Sequence, residues 1–187
     1  MISSKRSKGF LKIVSIISFV LLVMGCDERE IYSLQPDQKV VFMVSSSNFA
    51  WGRNLSGFFV SRDGEIRRYR NPPVWNIPEK LEMTEEQMNE NLTQTTIAKV
   101  KLDEDEVSRF IKKIPEIKSN SFSPRIQVGN DMGGTSYYIL MRDAEQKKYE
   151  LLLLEEKGDW EVHSTDKSAI EITQWLKGLY PKILGGQ

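Results

Sequence analysis

Apolar and polar residues alternate along much of this chain, and the period changes several times. Lys39 to Ser45 carries the unbroken run Val40-Val41-Phe42-Met43-Val44, which predicts a strand buried on both faces. Ser56–Arg62 and Glu65–Arg70 read as two further strands joined by Asp63-Gly64. That dipeptide suits a two-residue type I′ turn, in which both residues take positive φ. Such a turn pairs Phe58 with Tyr69 and Val60 with Arg67. Residues 71–78 (NPPVWNIP) contain three prolines, which remove backbone donors and exclude regular structure.

Helical spacing follows. Thr84-Glu85-Glu86-Gln87 is a capping box opening a short helix to about Leu92. Asp103 with Glu106 repeats that pattern before Val107, Phe110, Ile111 and Ile114, and Pro115 stops the helix. Between them, Thr96–Leu102 alternates like a half-buried strand. Residues 118–134 are polar and Gly-rich, with room for a short strand at 125–128. Thr135–Arg142 and Lys148–Glu156 form a hairpin, and Leu151–Leu154, apolar on both faces, marks the second strand as central. Trp160–Ser164 is a last strand. A final helix begins near Asp166 or Ser168, turns Ala169, Ile172, Trp175, Leu176 and Leu179 inward, and ends at Tyr180 before Pro181. Core candidates are Val41, Phe42, Phe110, Ile111, Leu152 and Leu176. Hairpins dominate, so the expected class is α+β: a mostly antiparallel sheet of about six or seven strands with two or three helices packed on one face.

The N-terminus follows a different logic. Lys5, Arg6, Lys8 and Lys12 precede an almost wholly apolar run from Ile13 to Met24. As a helix that run reaches only about 18 Å, against a bilayer core of about 30 Å, so it reads as a signal segment and not a span. Leu22-Val23-Met24-Gly25-Cys26 closes it and resembles the lipobox of bacterial lipoproteins, carried by Val23, Gly25 and Cys26. The resemblance implies cleavage after Gly25 and a thioether-linked diacylglycerol on Cys26, usually with a further acyl chain on its amine. Two or three chains hold a protein stably where one does not. Asp27, with Glu28 behind it, is similar to the signal that keeps enterobacterial lipoproteins at the inner membrane. The expected organisation is a signal peptide at 1–25, a lipid-anchored tether at 26–38 and one α+β domain at 39–187. The expected location is a membrane surface facing the periplasm or the cell exterior, the inner membrane if the source is Gram-negative.

Removing the signal segment leaves 22 basic and 26 acidic side chains, a net charge of −4. Mild acidity argues against a nucleic-acid partner. Cys26 is the sole cysteine and His163 the sole histidine, so disulfides, a thiol nucleophile, zinc-protease signatures and two-histidine metal sites are excluded. No cofactor or metal motif is present, and no catalytic residue is assigned.

Several segments are candidates for a site. His163 is the one available imidazole, and it or a pair of carboxylates could serve an envelope hydrolase, the alternative reading. Asp103-Glu104-Asp105-Glu106 lacks the ligand positions of a calcium loop and suits a helix start. Adjacent N–H groups in Gly129–Gly134 could cradle an anion, or the loop is a connector. Arg67-Arg68-Tyr69-Arg70 is basic, either a guarded strand edge or a face for an anionic partner. Phe49, Trp51, Val74 and Trp75 fall in loops, where they either tuck into the core or form a recognition patch. The leading expectation is a protein-binding module, of immunity or inhibitor type, with an envelope protein as partner. Trp51 and Trp75 would lie at the contact, with Arg68 and Arg70 at its rim.

Overall fold

The computed structural model describes residues 34–118 and 121–184; the signal segment, Cys26 and Asp27 lie outside the described residues. The strands are β1 (Val40–Asn48), β2 (Asn54–Ser61), β3 (Ile66–Arg70), β4 (Glu82–Thr84), β5 (Thr96–Ile97), β6 (Ile126–Gln127), β7 (Gly134–Asp143), β8 (Lys148–Gly158) and β9 (Trp160–His163). The helices are α1 (Glu85–Thr93), α2 (Glu104–Ile111) and α3 (Lys167–Leu184), with a 3-10 turn at Ile114–Glu116. Every pairing is antiparallel, in the order β5-β3-β2-β1-β7-β8-β9-β6, and β4 joins the first residues of β8. The chain therefore has the expected α+β architecture, with nine strands among the described residues. None of its described helices is long and apolar enough to cross a membrane.

Successive side chains of a strand point to opposite faces, and both faces of this sheet are covered. On one, Phe42, Val44, Phe58, Val60, Ile66 and Ile139 pack against Val107 and Phe110 of α2 and against Ala169, Ile172 and Leu176 of α3. On the other, Met43, Leu55, Phe59, Tyr69, Leu140 and Leu151 pack against Met83 of β4 and Met88 of α1. Two helices thus share a face, and the short α1 serves the opposite one. This double cover explains why β1 and β8 read as unbroken apolar runs. β8 is central as its sequence implies, with β7 on one side and β4 and β9 on the other. Leu151 and Leu154 are its deeply buried residues, whereas Leu152 of β8 and Ile111 of α2 only border the core.

Several local features differ from expectation. The β2–β3 turn has three loop residues: Ser61 N–H donates to Glu65 O (2.9 Å), Gly64 N–H donates to Ser61 O (3.0 Å), and Gly64 takes positive φ while Asp63 does not. The Asp63 carboxylate instead accepts from Glu65 N–H at 3.2 Å. The extra residue shifts the register by one, setting Tyr69 opposite Gly57, Phe58 opposite Arg68 and Val60 opposite Ile66. Gly57 has no side chain to block the Tyr69 ring that lies across it.

The segment 96–102 pairs with β3 only at Thr96 and Ile97. Farther on, Ala98 and Leu102 donate to Ile66 and Gly64 carbonyls and turn inward, while Val100 bows into solvent. Helix α3 runs through Pro181 to Leu184, because Ile183 is buried and Leu184 packs beside it; both gain contacts only if the helix continues. Strand β4 has no counterpart in the expectation. It forms after a reversal at Lys80 and Leu81, both at positive φ, and is too short to show a period.

Residues assigned from sequence to the tether take part in the fold. Leu34 packs on the helix-side core. The Gln38 side chain is buried, donating to Val40 O and Leu140 O (both 2.7 Å) and accepting from Arg142 N–H (3.2 Å). It thereby ties the start of β1 to β7 beyond Phe42 and Ile139, the pair at which their ladder ends.

Candidate functional site

Three loops meet at the end of the sheet where β1 turns into β2. The turn is shaped by Asn48, whose Oδ1 accepts from Ala50 N–H at 3.0 Å. The Nδ2 of Asn48 donates to Asp131 O at 3.1 Å and ties this turn to the 129–134 loop. Arg53 donates to Pro73 O at 3.2 Å and ties it to the proline segment. The 129–134 loop is pinned from below by Asp159. Its carboxylate accepts from Met132 N–H (2.9 Å) and Gly133 N–H (3.3 Å), and its own N–H donates to Gly133 O (2.8 Å). The anion cradle anticipated in this Gly-rich stretch exists, and the chain's own carboxylate occupies it. Gly133, at φ +74°, has no Cβ to strike Ser47 O, so the loop can lie against β1.

Beside exposed polar residues such as Asn130 and Asp131, this end presents large apolar side chains. Trp51 is 87% exposed, Met132 62%, Val74 58% and Phe49 54%. Beside them, a shallow hollow of about 370 Å³ is lined by residues including Phe49, Asp131, Ser136, Glu156 and Trp160. The Trp160 ring is itself covered by the Arg125 guanidinium, 4.9 Å from its centroid, and Arg125 also pairs with Glu156 at 2.9 Å. Asn48, Arg53 and Asp159 were not singled out from sequence, because their roles depend on loops remote in the chain; Met132 was marked only as part of the Gly-rich 129–134 stretch.

The other sequence candidates lie elsewhere. Trp75 turns inward: its ring centroid is 4.0 Å from that of Tyr69 and 6.1 Å from that of Phe59. Asn91 of α1 holds the next residue like a paired strand, accepting from Asn76 N–H and donating to Asn76 O, both at 2.8 Å. Arg68 and Arg70 alternate to the face of β3 opposite Tyr69, and Arg70 donates to Leu184 O at 3.3 Å. Trp75 therefore packs inward instead of standing exposed beside Trp51, while Arg70 lies opposite Ser56 near the start of β2 and Arg68 opposite Phe58.

His163 is exposed on β9, and its cross-strand neighbour Glu155 is engaged by Lys177 at 2.6 Å. Ser164, Thr165 and Asp166 are held locally: Ser164 donates to Ser121 O (3.2 Å), Thr165 shares a hydrogen bond with Ser121 (2.8 Å), and Asp166 caps α3 through Ser168 N–H (2.9 Å). In the acidic run, Asp103 caps α2 through Asp105 N–H (2.9 Å), and the reciprocal Glu106 bond of a capping box is replaced by one to Trp175. No three His, Cys, Asp or Glu side chains among the described residues are grouped to hold a metal ion.

A wider groove of about 1010 Å³ lies at the opposite end of the sheet, between the 36–40 segment, the β2–β3 turn and α1. Its charges answer one another. Arg142 pairs with Asp37 (2.6 Å) and Glu85, and Arg67 pairs with Glu65 (2.7 Å). Hydrogen bonding from Arg142 holds the Asp37 carboxyl below its usual range. Burial, foremost, pushes the hydroxyls of Tyr69, Tyr137, Tyr138 and Tyr149 upward. No family model, curated protein or solved structure matches this chain.

Proposed function

We propose that this protein is a lipid-anchored lipoprotein of the cell envelope that acts as a protein-binding module of immunity or inhibitor type. Acyl chains on Cys26 hold it to a membrane, the inner membrane if the source is Gram-negative, with the domain facing the periplasm or the cell exterior. The anchored part rests on the basic start, the short apolar segment and the lipobox-like Val23-Met24-Gly25-Cys26. The binding part rests on one observation: Trp51 stands 87% exposed on a turn that Asn48 and Arg53 fasten on both sides. An indole left in water by a rigid loop loses little conformational freedom on contact, and Trp is enriched where binding energy concentrates.

Two measurements test this reading. The Cys26→Ser chain should fail to incorporate labelled palmitate; incorporation at the wild-type level refutes the anchor. Affinity capture from solubilised membranes should return a partner with the wild-type chain and lose it with Trp51→Ala. Equal recovery by both chains removes Trp51 from recognition.

A further inference from the structure

We infer that Met132 is a site of oxidation: hydrogen peroxide converts its thioether to the sulfoxide, and the sulfoxide lifts the side chain off Gly129 and loosens the 129–134 loop. Neither an anchor nor a binding partner is needed for this.

A thioether reacts where an oxidant can reach its sulfur. Met43, Met83 and Met88 lie in the core, and Met141 is partly buried against its helix side. Met132, at 62%, is the one exposed methionine among the described residues.

The sulfur is also held in place. A Cβ built on Gly129 would fall 2.2 Å from Met132 Sδ and 3.1 Å from its Cγ, so the thioether lies folded over bare glycine backbone. The next atom around that space is Asp159 Oδ1, at 3.5 Å. This oxygen accepts from Met132 N–H (2.9 Å), and its twin Oδ2 accepts from Gly133 N–H (3.3 Å). The sulfur therefore rests beside a carboxylate, on a loop whose N–H donors at 132 and 133 are already engaged.

In the reaction a sulfur lone pair attacks one peroxide oxygen. An S–O bond forms, the O–O bond breaks, and the proton of the transferred hydroxyl leaves with the departing hydroxide as water. The sulfur loses two electrons and the peroxide gains them. A flexible apolar side chain becomes a polar one. The new oxygen accepts hydrogen bonds and donates none, and an ionised Asp159 is likewise an acceptor only. On the loop side the sulfoxide oxygen thus has no donor, and covering it there without one is costlier than leaving it in water. The side chain turns outward, Gly129 loses its cover, and the bond from Met132 N–H to Asp159 meets solvent. Asn48 Nδ2 donates to Asp131 O in this same loop, so the loosening reaches the β1–β2 turn.

The test treats the purified full chain with hydrogen peroxide and follows each methionine by peptide mass spectrometry. Met132 should be oxidised about tenfold or more faster than Met43, Met83 and Met88. A rate within about twofold of theirs overturns the inference. In chain oxidised at Met132, amide hydrogen exchange should rise across residues 129–134 and stay unchanged in the middle of β1 and β8. Unaltered exchange in the loop overturns the inference as well. The Met132→Leu chain, which keeps an apolar side chain beside Gly129, should show no rise after the same treatment. If its loop amides loosen as much as those of the wild type, another residue is responsible and the inference falls.

Discussion

Glu106 of α2 accepts the indole N–H of Trp175 of α3 at 2.8 Å, and this bond joins the two helices that cover one face of the sheet. The Trp175 ring stacks on Phe110 at 4.3 Å and meets Phe42 edge-on at 5.2 Å. One residue therefore links α2, α3 and β1. Trp175→Phe keeps a ring in that slot but leaves a half-buried carboxylate without its donor. The expected cost is about 1–2 kcal/mol, read from urea unfolding. A loss indistinguishable from zero would mean that water replaces the indole.

The leucines of β8 should separate sharply in the same measurement. Leu154 is 1% exposed, whereas Leu152 borders the core. Leu154→Ala should cost about 2–5 kcal/mol, as large-to-small changes in a packed core do. Leu152→Ala should cost clearly less, because part of its surface already meets solvent. The reverse order would contradict the described placement of β8.

The two loop tryptophans should differ in kind. Trp51→Ala should leave stability within about 0.5 kcal/mol of wild type, as surface changes usually do, while capture of the partner is lost. Trp75→Ala removes a ring packed on Tyr69 and Phe59 and should cost about 2 kcal/mol or more. A large loss of stability in Trp51→Ala would place its ring against the domain.

High pH should unfold the domain. Burial pushes the Tyr137 hydroxyl up to about 12 from its ordinary value of 10.0 and raises Tyr138 and Tyr149 as well. In the unfolded chain these groups ionise near pH 10, so above that point the unfolded state holds fewer protons than the folded one. Stability is therefore intact below about pH 10 and falls between about pH 10 and 12. Tyrosinate absorbance should lag behind that of free tyrosine and then rise together with loss of circular dichroism. Smooth ionisation of all six tyrosines near pH 10, with structure retained, would contradict the burial described.

The strands and helices with a long, clear period were legible in the sequence, as were the Thr84–Gln87 capping box and the central place of β8. Register was not. Asp63-Gly64 fits a two-residue turn, but Asp63 Oδ1 accepts from Glu65 N–H and Leu102 N–H donates to Gly64 O, contacts that favour the longer turn. The end of α3 was hidden because Pro181 is a local signal, whereas burial of Ile183 is a tertiary one. At the loop end, composition marked Trp51 and Trp75 alike. What separates them is Tyr69 beneath one ring and open solvent around the other, a distinction set by strands far apart in the chain.

One side of β8 is shared. Its first residues pair with β4 and its later ones, Glu155 and Glu156, with β9. The sheet is therefore forked, and the prongs are built from different stretches of chain. One carries the approach to α1, the other leads into α3. Neither prong hydrogen-bonds to the other, so one can open while its counterpart stays closed. Cooperative units of this kind appear in hydrogen exchange as separate sub-global openings. In this domain the amides of β4 and those of β9 should exchange with unequal free energies, and a change that loosens one prong should leave the protection of the other intact.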